Sequence, residues 1–422
     1  MVAGQVTRNA QLDALTDTRH RTLALVSELG EPDLVRVVSP LLSPLIWDLG
    51  HIANFEQRWL LGGDQDGLDS VYDPFATPRA QRGELPFLNS DECFAYMDDV
   101  RAAAASRFDQ LDPFLVELVI QHEQQHNETM LQLLRMSDGY RPPAALLRRE
   151  QPAGAAVGAG WIDIPAGRYV IGSATEHVNQ FIYDNEQDAH EVDLDAFAIA
   201  RRPVTNGEFA EWIAAGGYER EQWWSAEGRS WLAAEPAETP LGWIRDGAGW
   251  AETGFGDPRP IDPDAPVVHV NWFEAEAYAV AHDARLPSET EWEVAASADP
   301  MTGERNRHPW GDDEWEDGVA NLDQLAFGTV PAGTAGSPSA SGCSDMAGQA
   351  WEWTSTEFHP YRGFEPFCYG EYSAPFFDSG GYRVLRGGSW ATRPRTVDCR
   401  FRNWDHPQRR QIFSGFRLAC DR

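Results

Sequence analysis

The chain has 422 residues, 42% apolar and 24% charged, which is enough for two or three domains with sizeable cores. Its formal net charge of −32 argues against nucleic acid and anionic membrane surfaces as partners, because both recruit Lys/Arg patches. All 34 basic residues are arginine, which excludes Schiff-base chemistry on a lysine and a P-loop lysine.

Five cysteines, Cys93, Cys343, Cys368, Cys399 and Cys420, form no CxxC pair, so they read neither as a disulfide framework nor as a zinc ribbon. No apolar h-region opens the chain, and no stretch reaches the ~18 apolar residues of a spanning helix. A cytoplasmic protein that touches neither nucleic acid nor membrane is expected.

Residues 1–140 read as helices. Thr7 to Leu29 carries a helical pattern that stops at Gly30. Ser43 and Pro44 read as an N-cap and a first-turn proline, opening a helix that runs to Leu61 and closes at Gly62-Gly63. Ser90 is the expected cap of a third helix through Arg107. Asp112-Pro113 opens a fourth that runs to Asp138 and stops at Gly139. Four such helices with one long connection, residues 62–89, suggest an antiparallel bundle.

Residues 141–160, rich in Pro, Ala and Gly, read as a linker. From residue 161 to 422 the apolar runs shorten and Trp, Gly and Pro become frequent. Asn206–Gly217 and Trp272–Asp283 are expected to be helical, and the remainder short strands and turn-rich loops anchored by tryptophans. The fold class is α+β, with no short-period repeat.

The fourth helix contains "VIQHEQQHNETM". His122 and His126 are four apart, so both leave one face, on a stripe with Leu118 and Leu133. His51 shares a second stripe with Trp47, Phe55 and Trp59. Buried core histidines are the plain alternative, but two at this spacing on an apolar stripe, facing a third, favour a metal in the bundle core. Three imidazoles without a thiolate suit Zn, Fe, Cu or Ni, and three ligands leave open positions. "HEQQH" also matches the zinc-protease pattern, in which Glu123 would be the general base. A helical bundle offers no strand-edge cleft for a peptide.

Here the residues carry a resemblance. The N-terminal half resembles a DinB-type metal-binding bundle. The C-terminal half resembles the formylglycine-generating-enzyme/sulfatase-modifying domain, a C-type-lectin-like fold, through "WIDIPAGRYVIGS", "RLPSETEWEVAA", "DMAGQAWEWTST", "VLRGGSW" and "SGFRLACD". The pairing is similar to the sulfoxide synthases of ergothioneine biosynthesis, the hercynine oxygenases, whose motif HExQHxE appears as His122 to Glu128 with His51 as third histidine. Cys399 and Cys420 match no copper-binding cysteine pair of true formylglycine generators, and "GQAWEW" replaces "GNVWEW", so this half reads as a substrate-holding partner. No EF-hand-like loop supports a structural Ca²⁺.

The resemblance implies Fe(II) on His51, His122 and His126, with O₂, hercynine (Nα-trimethylhistidine) and a thiol as substrates. A quaternary ammonium donates no conventional N–H hydrogen bond, so aromatic faces and carbonyl or amide oxygens must hold it. Asn403 and Trp404 are the candidates, and Gln125 is placed to orient the substrate imidazole or carboxylate. Arg79 and Arg82 match the arginine pair of the actinobacterial type and can bind carboxylates. Asp405 can pair with an amino group, and together with the two arginines this favours γ-glutamylcysteine over cysteine. Tyr369 or Tyr372, the former preferred, is the candidate acid. A zinc-dependent, oxygen-independent DinB-type thiol transferase is the rival reading. A non-enzymatic ligand-binding protein with a structural metal is the third.

Overall fold

A computed structural model describes residues 2–63, 67–147, 156–173, 181–247, 249–300, 302–370 and 372–422. They form two compact units: residues 1–147 with 254–257, and residues 148–253 with 258–422. Mixed helix and strand content agrees with the α+β reading.

The first unit holds four long helices: α1 (Val2–Val26), α2 (Leu45–Glu56), α3 (Ser90–Ser106) and α4 (Pro113–Met136). α2 continues into a π-turn, Gln57–Leu61, and stops where Gly62 takes φ +89°, the left-handed region that glycine enters without a Cβ penalty. The caps differ from expectation at two places. Pro44, not Ser43, occupies the N-cap of α2, because its extended backbone leads straight into Leu45. The Ser43 hydroxyl accepts instead from Arg82. Asn89, not Ser90, caps α3, in a capping box with Glu92. Asp112 caps α4 by accepting from Phe114 N–H.

One charged residue from each helix meets in the bundle interior. Arg19 of α1 and Arg101 of α3 each bridge Glu56 of α2 and Glu123 of α4, at 2.7–2.9 Å. Thr22 adds a 2.6 Å hydrogen bond to Glu123. The helix packing thus brings four charges together where each has an opposite partner, the condition under which buried charge is tolerable.

The second unit contains α5 (Asn206–Ala214), α6 (Ala226–Ala234), α7 (Trp272–Ala281) and α8 (Glu289–Ser297). The strands of the chain, of which β6 and β7 overlap residues 254–257, are β1 (Trp161–Ile164), β2 (Gly167–Ile171), β3 (His190–Leu194), β4 (Phe197–Ala200), β5 (Trp243–Asp246), β6 (Gly249–Gly254), β7 (Gly256–Pro260), β8 (Trp351–Glu357), β9 (Arg383–Arg386), β10 (Asn403–Asp405), β11 (Ser414–Gly415) and β12 (Ala419–Asp421). They pair as short sheets in the orders β1-β4-β12, β10-β9-β8-β11, β2-β3 and β5-β6-β7. α6 and α8 were not anticipated.

Buried ion pairs join the segments that carried the resemblance. Glu293 of α8 binds Arg386 of β9 at 2.7 Å, and Glu352 of β8 binds Arg417 at 2.6 Å. Glu352 also accepts from Trp292 Nε1 at 2.8 Å. Arg386, Arg417 and Glu293 have no exposed surface. These motif residues hold one another in a core with Phe197, Ile199, Met346 and Cys343. All five cysteines are free, with Cys93, Cys343 and Cys399 buried.

Candidate metal centre

α2 brings His51, and α4 brings His122 and His126, to one spot inside the first unit. One nitrogen from each ring lies within 4.8 Å of the others. His51 Nε2 and His122 Nε2 are 3.1 Å apart. His51 Nδ1 donates to the Tyr72 carbonyl at 2.8 Å. A carbonyl only accepts, so this bond leaves the His51 lone pair on Nε2. His126 Nδ1 lies 3.2 Å from Asp48 Oδ1, which likewise leaves Nε2 of that ring for the shared space.

Apolar rings fix the imidazoles. Trp47 stacks on His51 with ring centroids 4.8 Å apart and 13° between planes, and Phe55 stacks on His122 at 3.6 Å and 7°. His51 is 3% exposed and His122 8%. Burial, and next the positive charge that His126 can carry, push the His51 pKa well below its ordinary value, while Arg82 and Arg79 act in the same direction. Burial and the two neighbouring histidines do the same to His122. Neutral imidazole is the form that binds a metal. The donor set, the tautomers fixed at His51 and His126 and the converging nitrogens fit a divalent transition metal.

Glu123 is not at this cluster. Its carboxylate belongs to Arg19, Arg101 and Thr22. Burial alone would raise its pKa, but the two guanidiniums more than offset that and hold it below the usual range. An ion-paired carboxylate of lowered pKa is a poor general base, which removes the zinc-protease alternative.

The two arginines of the long connection differ. Arg82 is buried: Nε donates to Thr77 O at 3.1 Å, Nη1 to Ser43 Oγ at 2.9 Å and Nη2 to Pro74 O at 2.8 Å. Its guanidinium also lies 3.8 Å over the Trp47 ring. Arg79 is exposed. Gln125 is half-buried on α4.

The remaining candidates sit together in the second unit. β10 presents Asn403, Trp404 and Asp405 opposite Leu385, Val384 and Arg383 of β9. Trp404 stacks on Phe358 at 4.1 Å and meets Tyr372 edge-on at 5.3 Å. Tyr372 stacks on Tyr183 at 4.3 Å and lies 5.9 Å from Tyr369, ring to ring. Next in sequence on both segments, Ser373 donates to Asp184 Oδ1 at 2.6 Å. Asp405 accepts from His406 N–H and pairs with Arg409 at 3.4 Å. Asp48, Tyr72 and Tyr183 were not singled out from sequence. Only Asp48 left a signal, one turn before His51 on the same helix.

Residues 14–130 match the DinB superfamily, and residues 149–422 match the Sulfatase-modifying factor enzyme 1-like domain. The hercynine oxygenase of Mycolicibacterium smegmatis is 45% identical, over 99% of this chain and 100% of that protein. The hercynine oxygenase of Mycobacterium tuberculosis is 45% identical, over 96% of this chain and 97% of that protein. A formylglycine-generating enzyme of the same organism is 31% identical but covers 55% of this chain. No helix among the described residues is long and apolar enough to cross a membrane. Identity of this order across both domains, which the formylglycine generator lacks, places the chain among enzymes that are oxygenases: it belongs to the hercynine oxygenase family.

Proposed function

We propose that this chain joins the sulfur of γ-glutamylcysteine to the carbon between the ring nitrogens of hercynine, using Fe(II) and O₂. The reaction balances as thiol plus C–H plus O₂ giving sulfoxide plus water. Carbon–sulfur bond formation and sulfur oxidation together supply four electrons to O₂. The observation that carries this reading is the three-imidazole cluster in a chain of this family.

His51, His122 and His126 would hold the metal through the ring nitrogens that converge on one spot. A metal bound there supplies O₂ activation and keeps a substrate sulfur deprotonated. Trp404 offers its ring face and Asn403 its amide oxygen to the trimethylammonium group. Gln125 orients the imidazole or carboxylate of hercynine. Arg79, with the hydrogens that Arg82 has left over, takes the carboxylates of the thiol substrate, and Asp405 its amino group. Tyr369 or Tyr372 delivers a proton to the reacting oxygen, which commits the reaction to the C–S bond.

Oxygen consumption with Fe(II), hercynine and γ-glutamylcysteine, with product mass read in parallel, tests this. One O₂ per sulfoxide formed is expected, with slower turnover on cysteine. The donor set suits Zn(II) as well, which keeps a thiol transferase as the second reading. Anaerobic turnover with Zn(II) would establish that reading and overturn the first.

A further inference from the structure

The three histidines are not held alike. His51 is oriented by a neutral backbone carbonyl, whereas His126 is oriented by a carboxylate. Asp48 is 2% exposed, and its Oδ2 has no hydrogen-bond partner among the described residues. An acid this deeply buried, with one oxygen on an imidazole and the other unpartnered, is costly unless a positive charge sits nearby.

The surroundings make that charge specific. Asp48 stands in the first turn of α2, three residues before His51, so one helix face carries both a ligand candidate and the acid. The cluster itself holds no carboxylate, only three imidazoles. The Arg82 guanidinium lies 3.8 Å over the Trp47 ring, and that ring stacks on His51. Asp48 and Asp73 are the acids that act on Arg82, and of the two it is Asp48 that sits on an imidazole of the cluster.

We infer that Asp48 is the positioning residue of the metal centre: from α2 its carboxylate takes the Nδ1 hydrogen of His126, turns Nε2 of that ring toward the shared space, and supplies the negative charge that a dication needs beside Arg82. This rests on the reading of His51, His122 and His126 as ligands. Asp48 touches neither substrate nor metal and acts through His126. Removing such a partner weakens metal binding about ten- to a hundredfold.

The test uses the full chain, stripped by chelation and reloaded. Co(II) affinity is followed by its visible bands, and the Fe(III)/Fe(II) midpoint by spectroelectrochemistry. Asp48→Asn keeps an acceptor for His126 and loses the charge. It is expected to weaken Co(II) by about tenfold or more and to raise the midpoint, because the lost charge favours Fe(III) over Fe(II). Asp48→Ala loses orientation as well and is expected to be weaker still. A fold-only role would lower the melting temperature and leave the midpoint of the loaded protein in place. Asp48→Asn that binds Co(II) within about twofold of the unsubstituted chain, with the same midpoint, overturns the inference alone. An unsubstituted chain that binds no metal overturns the ligand reading and this inference with it.

Discussion

Glu56 and Glu123 are held by the same two guanidiniums, those of Arg19 and Arg101, so that all four helices of the bundle meet at one closed set of charges. Glu123 follows His122 directly. The helix therefore sends one residue to the histidine cluster and the next to the charge cluster, ~100° away. Where α4 stands against its neighbours is set by the same contacts that aim His122 and His126.

Glu123→Gln is therefore expected to act on the fold. It leaves the buried Arg19 and the partly buried Arg101 with one carboxylate. Breaking a buried pair by removing one partner costs about 3–5 kcal/mol. Chemical denaturation should show a loss of that order, with metal affinity reduced only as far as the fold is. A variant with unchanged stability and abolished turnover would mark Glu123 as a catalytic base and reverse the argument.

Gly50 stands against the Tyr72 ring: a Cβ there would lie 2.3 Å from Tyr72 Cε1. Tyr72 has no exposed surface, its hydroxyl accepts from Leu88 N–H, and its carbonyl holds His51. The ring is fully buried and tied at its hydroxyl, so any shift of the Tyr72 segment that relieves the contact reaches the carbonyl on His51. Gly50→Ala is expected to cost about 1–3 kcal/mol by overpacking and to weaken metal binding together with stability. A thermal melt and a Co(II) titration check both. An unchanged melt would show that the Tyr72 segment yields freely.

How much of this was legible depends on periodicity. The α4 histidines are visible because four-residue spacing on an apolar stripe sends both to one face of the helix, toward the core. Asp48 was not, because an acid in a first helical turn is usually a partner for the helix dipole. α8 carries a capping box, Ser288 with Glu291, which sequence could have yielded. Its apolar pattern was masked by Glu289 and Glu293, which face inward to Arg402 and Arg386. Arg79 and Arg82 were indistinguishable by composition. What separates them is a fold around Ser43, Pro74 and Thr77 that no local pattern encodes.

Glu186 gives a pH dependence. Burial, and next the Asp398 carboxylate, push its carboxyl up to about 8 from an ordinary 4.5. In the unfolded chain it ionises near 4.5, while in the fold it keeps its proton until about 8. The fold holds the extra proton between those values, so stability falls as pH rises through that window and levels off above it. Glu186→Gln cannot ionise. Its stability relative to the unsubstituted chain should rise from pH 5 to pH 8 by a few kcal/mol at most. Melting temperatures of the two chains across that range decide it, and parallel curves would mean that Glu186 ionises normally in the fold.

Tyr369 and Tyr372 lie on one short loop, but their settings differ. Tyr372 stacks on Tyr183 and stands nearly perpendicular to the Trp404 ring, and its neighbour Ser373 is fixed to Asp184. Removing a single hydroxyl from either tyrosine leaves the ring packing intact, so Tyr→Phe at each should change stability by no more than about 1.5 kcal/mol, the worth of one hydrogen bond. A product shift in such a variant then reports the hydroxyl and not the fold. Under the proposed reaction, loss of the proton donor leaves the thiol to take both oxygen atoms, so product should move from the sulfoxide toward the sulfinic acid of γ-glutamylcysteine. Mass analysis of single-turnover mixtures from Tyr369→Phe and Tyr372→Phe gives the partition directly. One variant is expected to shift it and the other to leave it. If both give the unsubstituted ratio, neither phenol is the acid and the proton comes from elsewhere.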